Sequence, residues 1–283
     1  MSASILQVQG LHYTYPDGTL ALRGLSTDIA RGKKIALLGA NGAGKSTFLL
    51  HLIGILKPFS GKILLHGEEV KYNRKALHNL RSKVGFVFQD PDTQLFSASV
   101  WQEVSFGPIN LGLSKEEVKA RVIKALDDTG ITSLKDKPTH FLSYGQKKLV
   151  SIADILAMEP EVLIFDEPTA SLDPRYTKHV MELLDQLNQS NITIIMATHC
   201  VDIAYGWADW VLVMKEGIIT KEGTPEEIFT NDQLLISTNL SRPFLLEVFQ
   251  ELSSNNYLPR NISLPKKMAD FKKILQENAP KNK

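Results

Sequence analysis

The feature that most limits what this chain can fold into is an eight-residue run, Gly39-Ala40-Asn41-Gly42-Ala43-Gly44-Lys45-Ser46, set directly after the apolar run Ile35-Ala36-Leu37-Leu38. It matches the pattern G-x-x-x-x-G-K-[ST] at every position. That pattern makes physical sense in one setting: a buried strand ends, a loop follows, and a helix begins. Thr47-Phe48-Leu49-Leu50-His51-Leu52-Ile53 supplies the helix. The glycines leave backbone N–H groups free to converge on phosphate oxygens, and the helix N-terminus adds partial positive charge. Lys45 is then placed to reach β- and γ-phosphates, and the Ser46 hydroxyl to ligate Mg²⁺. An ordinary glycine-rich turn has no need of Lys45 and Ser46 in this register, so the run is read as a nucleotide cradle that includes Gly39, Asn41, Gly42, Ala43, Gly44 and Thr47.

Two further apolar runs, Val162-Leu163-Ile164-Phe165 and Ile192-Thr193-Ile194-Ile195-Met196, are continuous rather than alternating. Strands buried on both faces look like this, as in parallel sheets covered by helices. Between them lie helical patterns. Val118, Val122, Ala125 and Leu126 share one face, as do Val180, Leu183, Leu184 and Leu187. The alternation predicts an α/β fold with a mostly parallel sheet and right-handed crossovers. The first 30 residues differ. Ile5 to Gln9 and Leu11 to Tyr15, followed by the turn Pro16-Asp17-Gly18, read as antiparallel strands. A last hairpin is expected where Val211 to Met214 meets Ile218-Ile219 across Glu216-Gly217. Past Thr224-Pro225 the apolar strands stop, and Arg242 to Leu252 and Lys266 to Leu275 read as two short helices.

Composition removes several functional classes. With 283 residues, the chain has room for one large α/β domain with an appendage, or two unequal domains. Its net charge is +1, which offers no global attraction to nucleic acid. The single cysteine, Cys200, excludes a disulfide framework and any zinc site built on several thiolates. The N-terminal segment lacks a secretory pattern, and no run of about 18 uncharged apolar residues occurs, so the chain is expected in the cytosol with nothing spanning a bilayer. The last 24 residues hold seven cations (Arg260, Lys266, Lys267, Lys272, Lys273, Lys281, Lys283) and two acids (Asp270, Glu277), a local +5. They read as a solvated helix with a frayed tail, with contact to a partner or membrane surface as the alternative.

The Val162 run ends in Asp166-Glu167. Asp166 fits the carboxylate that orients Mg²⁺ and its waters beside the phosphate loop, and Glu167 stands where a general base activates the attacking water. Such a base contributes roughly 10²–10⁴-fold. The plain alternative is two acids capping the next turn.

Leu142-Ser143-Tyr144-Gly145-Gln146 precedes this strand, and Thr198-His199 follows the next one. Phosphate loop, signature, acidic strand end and histidine in that order resemble the ATP-binding subunit of ABC transporters, over roughly residues 5 to 229. The resemblance implies a nucleotide-binding domain over 1–229, with a helical signature subdomain at about 90–160, and a C-terminal helical segment, 230–283. It also implies that two subunits bind head to tail around two ATP molecules. Ser143, Gly145 and Gln146 then address the γ-phosphate held by the partner's loop, and Asp173 of Ser171-Leu172-Asp173 lies across the interface. Gln89 corresponds to the residue that ligates Mg²⁺ and relays nucleotide state to the membrane subunit. His199 corresponds to the γ-phosphate switch, and Tyr15 to the aromatic that stacks on adenine. Taken alone, His199 or Tyr15 reads as ordinary packing.

A closer similarity lies in Val84-Gly85-Phe86-Val87-Phe88-Gln89-Asp90-Pro91-Asp92-Thr93-Gln94-Leu95-Phe96, extended by Ser105-Phe106-Gly107-Pro108 and Ala157-Met158-Glu159-Pro160-Glu161. These stretches resemble energy-coupling-factor (ECF) importers, most of all the ATPases of their cobalt/nickel branch (CbiO-like). The resemblance implies a homodimer of ATPases on the cytoplasmic side of the cell membrane. Its partners are a transmembrane coupling (T) protein, whose helices meet apolar surface from Phe88, Leu95, Phe96 and Trp101, and a substrate-capture membrane protein. The C-terminal helices then hold the two ATPases together. Four departures stand out: Tyr144 for a glycine, Leu149 for an arginine, Asp154 for a small residue and Cys200 for an acid. Vitamin ECF importers, other ABC transporters, and non-transport ABC ATPases of translation or DNA repair are the alternatives. One phosphate loop and no heptad insertion weigh against the last.

Overall fold

In the computed structural model, which describes residues 4–259 and 262–278, the three apolar runs become adjacent strands of one sheet. The chain starts with β1 (Ser4–Thr14), β2 (Leu20–Ala30) and β3 (Lys34–Leu38), then α1 (Lys45–Leu52), β4 (Ser60–Leu65) and β5 (Glu68–Glu69). It continues with α2 (Arg74–Lys83), β6 (Val84–Val87) and the helical insert α3 (Val100–Asn110), α4 (Lys115–Asp128) and α5 (Tyr144–Leu156). The second half alternates strand and helix through β7 (Val162–Asp166), α6 (Pro174–Gln189), β8 (Thr193–Ala197) and α7 (Val201–Trp207). The hairpin β9 (Trp210–Lys215) and β10 (Ile218–Gly223) closes the sheet, and four helices follow: α8 (Pro225–Phe229), α9 (Asp232–Thr238), α10 (Phe244–Ser254) and α11 (Met268–Glu277).

The main sheet runs β10-β9-β3-β8-β7-β6, parallel except for β10. Alternation across the pleat divides its residues between two apolar layers. Ile35, Leu37, Ile164, Ile195 and Leu212 face the N-terminal sheet and α1. Ala36, Leu38, Phe165, Ile194, Met196 and Val213 face the helices, joined there by Val122 and Leu126 of α4 and Val180 and Leu184 of α6. This double burial is why the runs are continuous in sequence. The helices start on polar caps. Ser114 and Glu117 form a reciprocal box before α4, and Asp173 accepts from the Tyr176 N–H with Pro174 in the first turn of α6.

The N-terminal sheet, β2-β1-β4-β5, is antiparallel as expected, with one correction. Ile5–Gln9 and Leu11–Tyr15 are not two strands: all but Tyr15, which follows its end, belong to the single strand β1. Gly10 (φ 59°) takes up a bulge where the pairing with β2 slips between Val8 and Leu11. The Glu216-Gly217 hairpin forms as read, with both residues at positive φ (48° and 81°). Past Thr224 two short helices, α8 and α9, precede the expected pair, and α10 begins after Pro243 instead of at Arg242, as α11 begins at Met268 instead of Lys266. Phe249, Leu258 and Phe271 give this appendage its own small core, while Leu246 reaches the main one. Arg260, Lys281 and Lys283 of the basic tail lie outside the described residues. Among the described residues no helix is long and apolar enough to cross a membrane.

Candidate nucleotide-binding site

Three neighbouring strands, β3, β8 and β7, end together, and their pairing places Leu37, Ala197 and Asp166 in one row. Whatever follows each strand therefore meets at the same edge, as parallel sheets dictate for their carboxyl ends. After β3 comes the glycine loop. Gly44 caps α1 with φ 100°, and a Cβ there would stand 2.7 Å from the Ala21 carbonyl oxygen, so only glycine fits. The Lys45 ammonium folds back to donate to the carbonyls of Gly39 (2.7 Å) and Ala40 (3.3 Å). Burial lowers its pKa, and the charges of Glu167 and Asp166 oppose that.

After β7 comes Glu167, at φ 48°, with its N–H donating to the Ala197 carbonyl (3.0 Å). Burial raises the pKa of its carboxyl group against the pull of His199 and Lys45. After β8 comes His199, whose strand lies between the other two. Its Nε2 is 3.3 Å from Lys45 Nζ and 3.3 Å from Glu167 Oε1. One ring nitrogen between a donor and an acceptor serves one at a time: bare, it accepts from Lys45, and protonated, it donates to Glu167.

A cleft of about 320 Å³ opens over this edge. Asn41, Gly42, Gly44, Lys45, Ser46 and Thr47 line it together with Gln89, Asp166, Glu167 and His199. Tyr15 lines it too, with Thr19, Leu20 and Ala21, which the sequence did not single out. The Tyr15 hydroxyl is 2.9 Å from Thr47 Oγ1. Gly39 and Ala43 do not line the cleft. Gly39 packs against the Met214 carbonyl, and Ala43 is buried with its N–H turned to Ala40 (3.1 Å), so both shape the loop from behind. A larger hollow of about 590 Å³ between β5 and α2 holds none of the expected residues, and its Glu161 is paired with Arg31 and His66.

Ser143, Gly145, Gln146 and Asp173 are not brought to this cleft. Ser143 and Gln146 form a capping box at the start of α5. A Cβ on Gly145 would fall 2.5 Å from the Tyr176 ring, and Tyr176 follows the Asp173 cap of α6, so the starts of α5 and α6 pack together. The Tyr144 hydroxyl donates to the Gln89 carbonyl (3.2 Å). Lys148, one turn on, donates to the carbonyls of Phe88 (2.8 Å) and Gln89 (2.6 Å). Sequence reasoning missed Lys148, since a lysine beside Lys147 on an amphipathic helix reads as solvated. Burial brings its pKa down to about 8. Of the remaining departures, Leu149 is buried in the main core, and Asp154 accepts from Gln94 (3.2 Å). Cys200 is exposed at the start of α7. Among the four residues expected on the coupling surface, Phe88, Leu95 and Trp101 pack against the cores. Phe96 is exposed, with Phe106 4.8 Å away edge to face and Ile109 also exposed on α3.

The ABC transporter family model matches residues 22–170. The chain belongs to the ABC transporter ATP-binding family. An energy-coupling factor transporter ATP-binding protein, EcfA3 of Clostridium perfringens, is 50% identical to this ABC ATPase over 255 residues, covering 89% of this chain and 90% of the relative. The solved structure of cbiO1 from the same organism, described as part of the ABC transporter complex cbiONQ, is 49% identical with a TM-score of 0.76, covering 89% of this chain and 99% of its own. A dimeric ATP-binding cassette solved in a post-hydrolysis state with ADP and Pi is 26% identical at a TM-score of 0.71, over 78% of this chain and 98% of its own. The ABC ATPase described here is accordingly an ATP-hydrolysing transport ATPase of the energy-coupling-factor type.

Proposed function

We propose that this chain binds MgATP in the cleft, closes with a second copy into a head-to-tail dimer, and uses hydrolysis to drive a membrane coupling protein of an importer for cobalt or nickel ions. One observation supports the reading above all others. The groups for binding and hydrolysis share one cleft, whereas Ser143 and Gly145 of the same chain lie away from it and lack a nucleotide to address. A second copy, turned head to tail, supplies one.

In this reading Tyr15 stacks on adenine, and the N–H groups of the cleft-lining loop residues Asn41, Gly42 and Gly44 to Thr47 take the phosphates, with Gly39 and Ala43 shaping the loop behind them. Lys45 and His199 meet the γ-phosphate, and Glu167 removes a proton from the attacking water. A carboxyl group raised by burial is the better base for it. Ser46, Gln89 and Asp166 border the same cleft and offer oxygen donors only, the set that a hard divalent cation takes, so they would hold Mg²⁺. When bound, the ion neutralises charge between the β- and γ-phosphates. Phe96, Phe106 and Ile109 offer the apolar surface for the coupling helices, and α10 and α11 the contacts between copies. The chain then sits on the cytoplasmic face of the membrane without entering it. The cobalt/nickel cargo is supported by the resemblance of residues 84–96, 105–108 and 157–161 and by the likeness to cbiO1.

Glu167→Gln is expected to keep ATP affinity and lose turnover by about 10²-fold or more, and near-normal turnover removes Glu167 from the base role. Ser143→Arg is expected to abolish ATP-dependent dimerisation in gel filtration. Purification from native membranes in mild detergent, with mass spectrometry of what accompanies the chain, identifies the coupling and capture proteins and through them the cargo.

A further inference from the structure

Lys148 has no exposed surface, and among the described residues it makes no ion pair. A buried ammonium is costly unless its protons are used. Here they are used on two successive main-chain carbonyls, Phe88 and Gln89, just past the end of β6. In a strand, successive residues point to opposite sides. Two consecutive carbonyls gathered on one nitrogen therefore need the chain to leave the strand there, in a fixed direction. Tyr144 adds its hydroxyl to the same Gln89 oxygen, so both lone pairs of that carbonyl are taken by α5. Gln89 lines the cleft. A neutral side chain of the same length at position 148 avoids the burial of charge and fills the same space, so packing alone does not call for lysine.

We propose that Lys148 is a positioning residue for Gln89: it fixes the main chain from which the Gln89 side chain enters the cleft and ties that point to the signature turn of α5. The inference rests on the reading of Gln89 as a group that acts on bound MgATP. It has a consequence for the dimer. Because Ser143 caps α5 and Gly145 lies in its first turn, a shift of Gln89 in one cleft moves the groups offered to the other, with Lys148 and Tyr144 as the direct ties.

The test uses the full-length chain with Lys148→Met, Lys148→Arg, Tyr144→Phe and Gln89→Ala, alone and combined. The readouts are kcat and KM for MgATP, ATP affinity in EDTA, and hydrogen exchange at the amides of residues 90–97. Lys148→Met is expected to lower kcat about 10-fold or more, as a misplaced group does, while ATP affinity in EDTA stays unchanged. Exchange at 90–97 should quicken in Lys148→Met, and Lys148→Arg, which keeps the donors, should recover most of the turnover. Added to Gln89→Ala, Lys148→Met should cost nothing further. A full additional loss in that background, or unchanged exchange at 90–97, overturns the inference while leaving the site reading intact. Normal turnover in Gln89→Ala overturns the site reading and the inference with it. If Lys148→Met does not fold, Tyr144→Phe carries the same comparison: a loss that vanishes in the Gln89→Ala background supports positioning, and one that persists refutes it.

Discussion

Gly145 has no side chain, and the ring of Tyr176 occupies the space where one would begin. Gly145→Ala is therefore expected to destabilise the fold by about 1–3 kcal/mol, as overpacking does, with recovery when Tyr176→Leu removes the ring. Urea unfolding of the two variants checks this. Asp154 gives a second prediction at this scale. Burial raises its pKa to about 7, with Gln94 opposing and Glu103 adding to the rise. The folded state thus holds the proton more tightly than the unfolded chain. Stability should fall as pH rises from about 4 to about 7 and stay reduced above. Asp154→Asn keeps the acceptor for Gln94, so its stability curve should be flatter in that window and higher by about 1–3 kcal/mol at pH 8; parallel curves for the two proteins would refute the assignment. Legibility in the sequence varied residue by residue. That Lys45, Ser46, Asp166 and Glu167 share one cleft could be expected because each directly follows a buried apolar run whose strand ends at the same sheet edge or the loop beyond it. Lys148 could not, because its partners are main-chain carbonyls 59 and 60 residues away, and carbonyls carry no sequence signal.

At the scale of elements, burial on both faces made β3, β7 and β8 visible, and the Glu216-Gly217 pair made the β9–β10 hairpin visible. What escaped were features decided by backbone geometry. Gly10 looked like a break and is a bulge inside β1, because antiparallel pairing tolerates one extra residue. The start of α10 was misplaced because Pro243 stands at its cap, and α8 and α9 are too short for a period to emerge. Helix starts also separate structure from chemistry. Asp173→Ala removes the cap of α6 and should cost about 1 kcal/mol, whereas Asp173→Asn keeps it. Activity lost in the asparagine variant without a change in thermal midpoint assigns Asp173 a role beyond capping. Equal midpoints in the alanine variant would remove the cap argument.

Over the whole molecule, the appendage is joined to the ATPase body by particular side chains. Leu246 of α10 is wholly buried in the main core, while Phe271 of α11 belongs to the small local one. Leu246→Ala should lower global stability by about 2–5 kcal/mol. Phe271→Ala should instead speed hydrogen exchange in α10 and α11 and leave the exchange of β3 and β8 unchanged; a matching acceleration in those strands would show that the molecule has no separate outer unit. The main sheet has another property of this kind. His199 stands between Lys45 and Glu167 only because β8 is pinned on both sides, Leu37 to Ala197 and Ala197 to Asp166. The sheet acts as a gauge block: alignment at the mouth is machined by residues such as Ile194 and Met196, which never meet nucleotide. Wear in that block, a methylene too many or too few, reaches the working edge as misalignment while the fold still stands. A change on the helix-facing side of the sheet can therefore disturb the alignment of the cleft residues while leaving each of them in the sequence as it was.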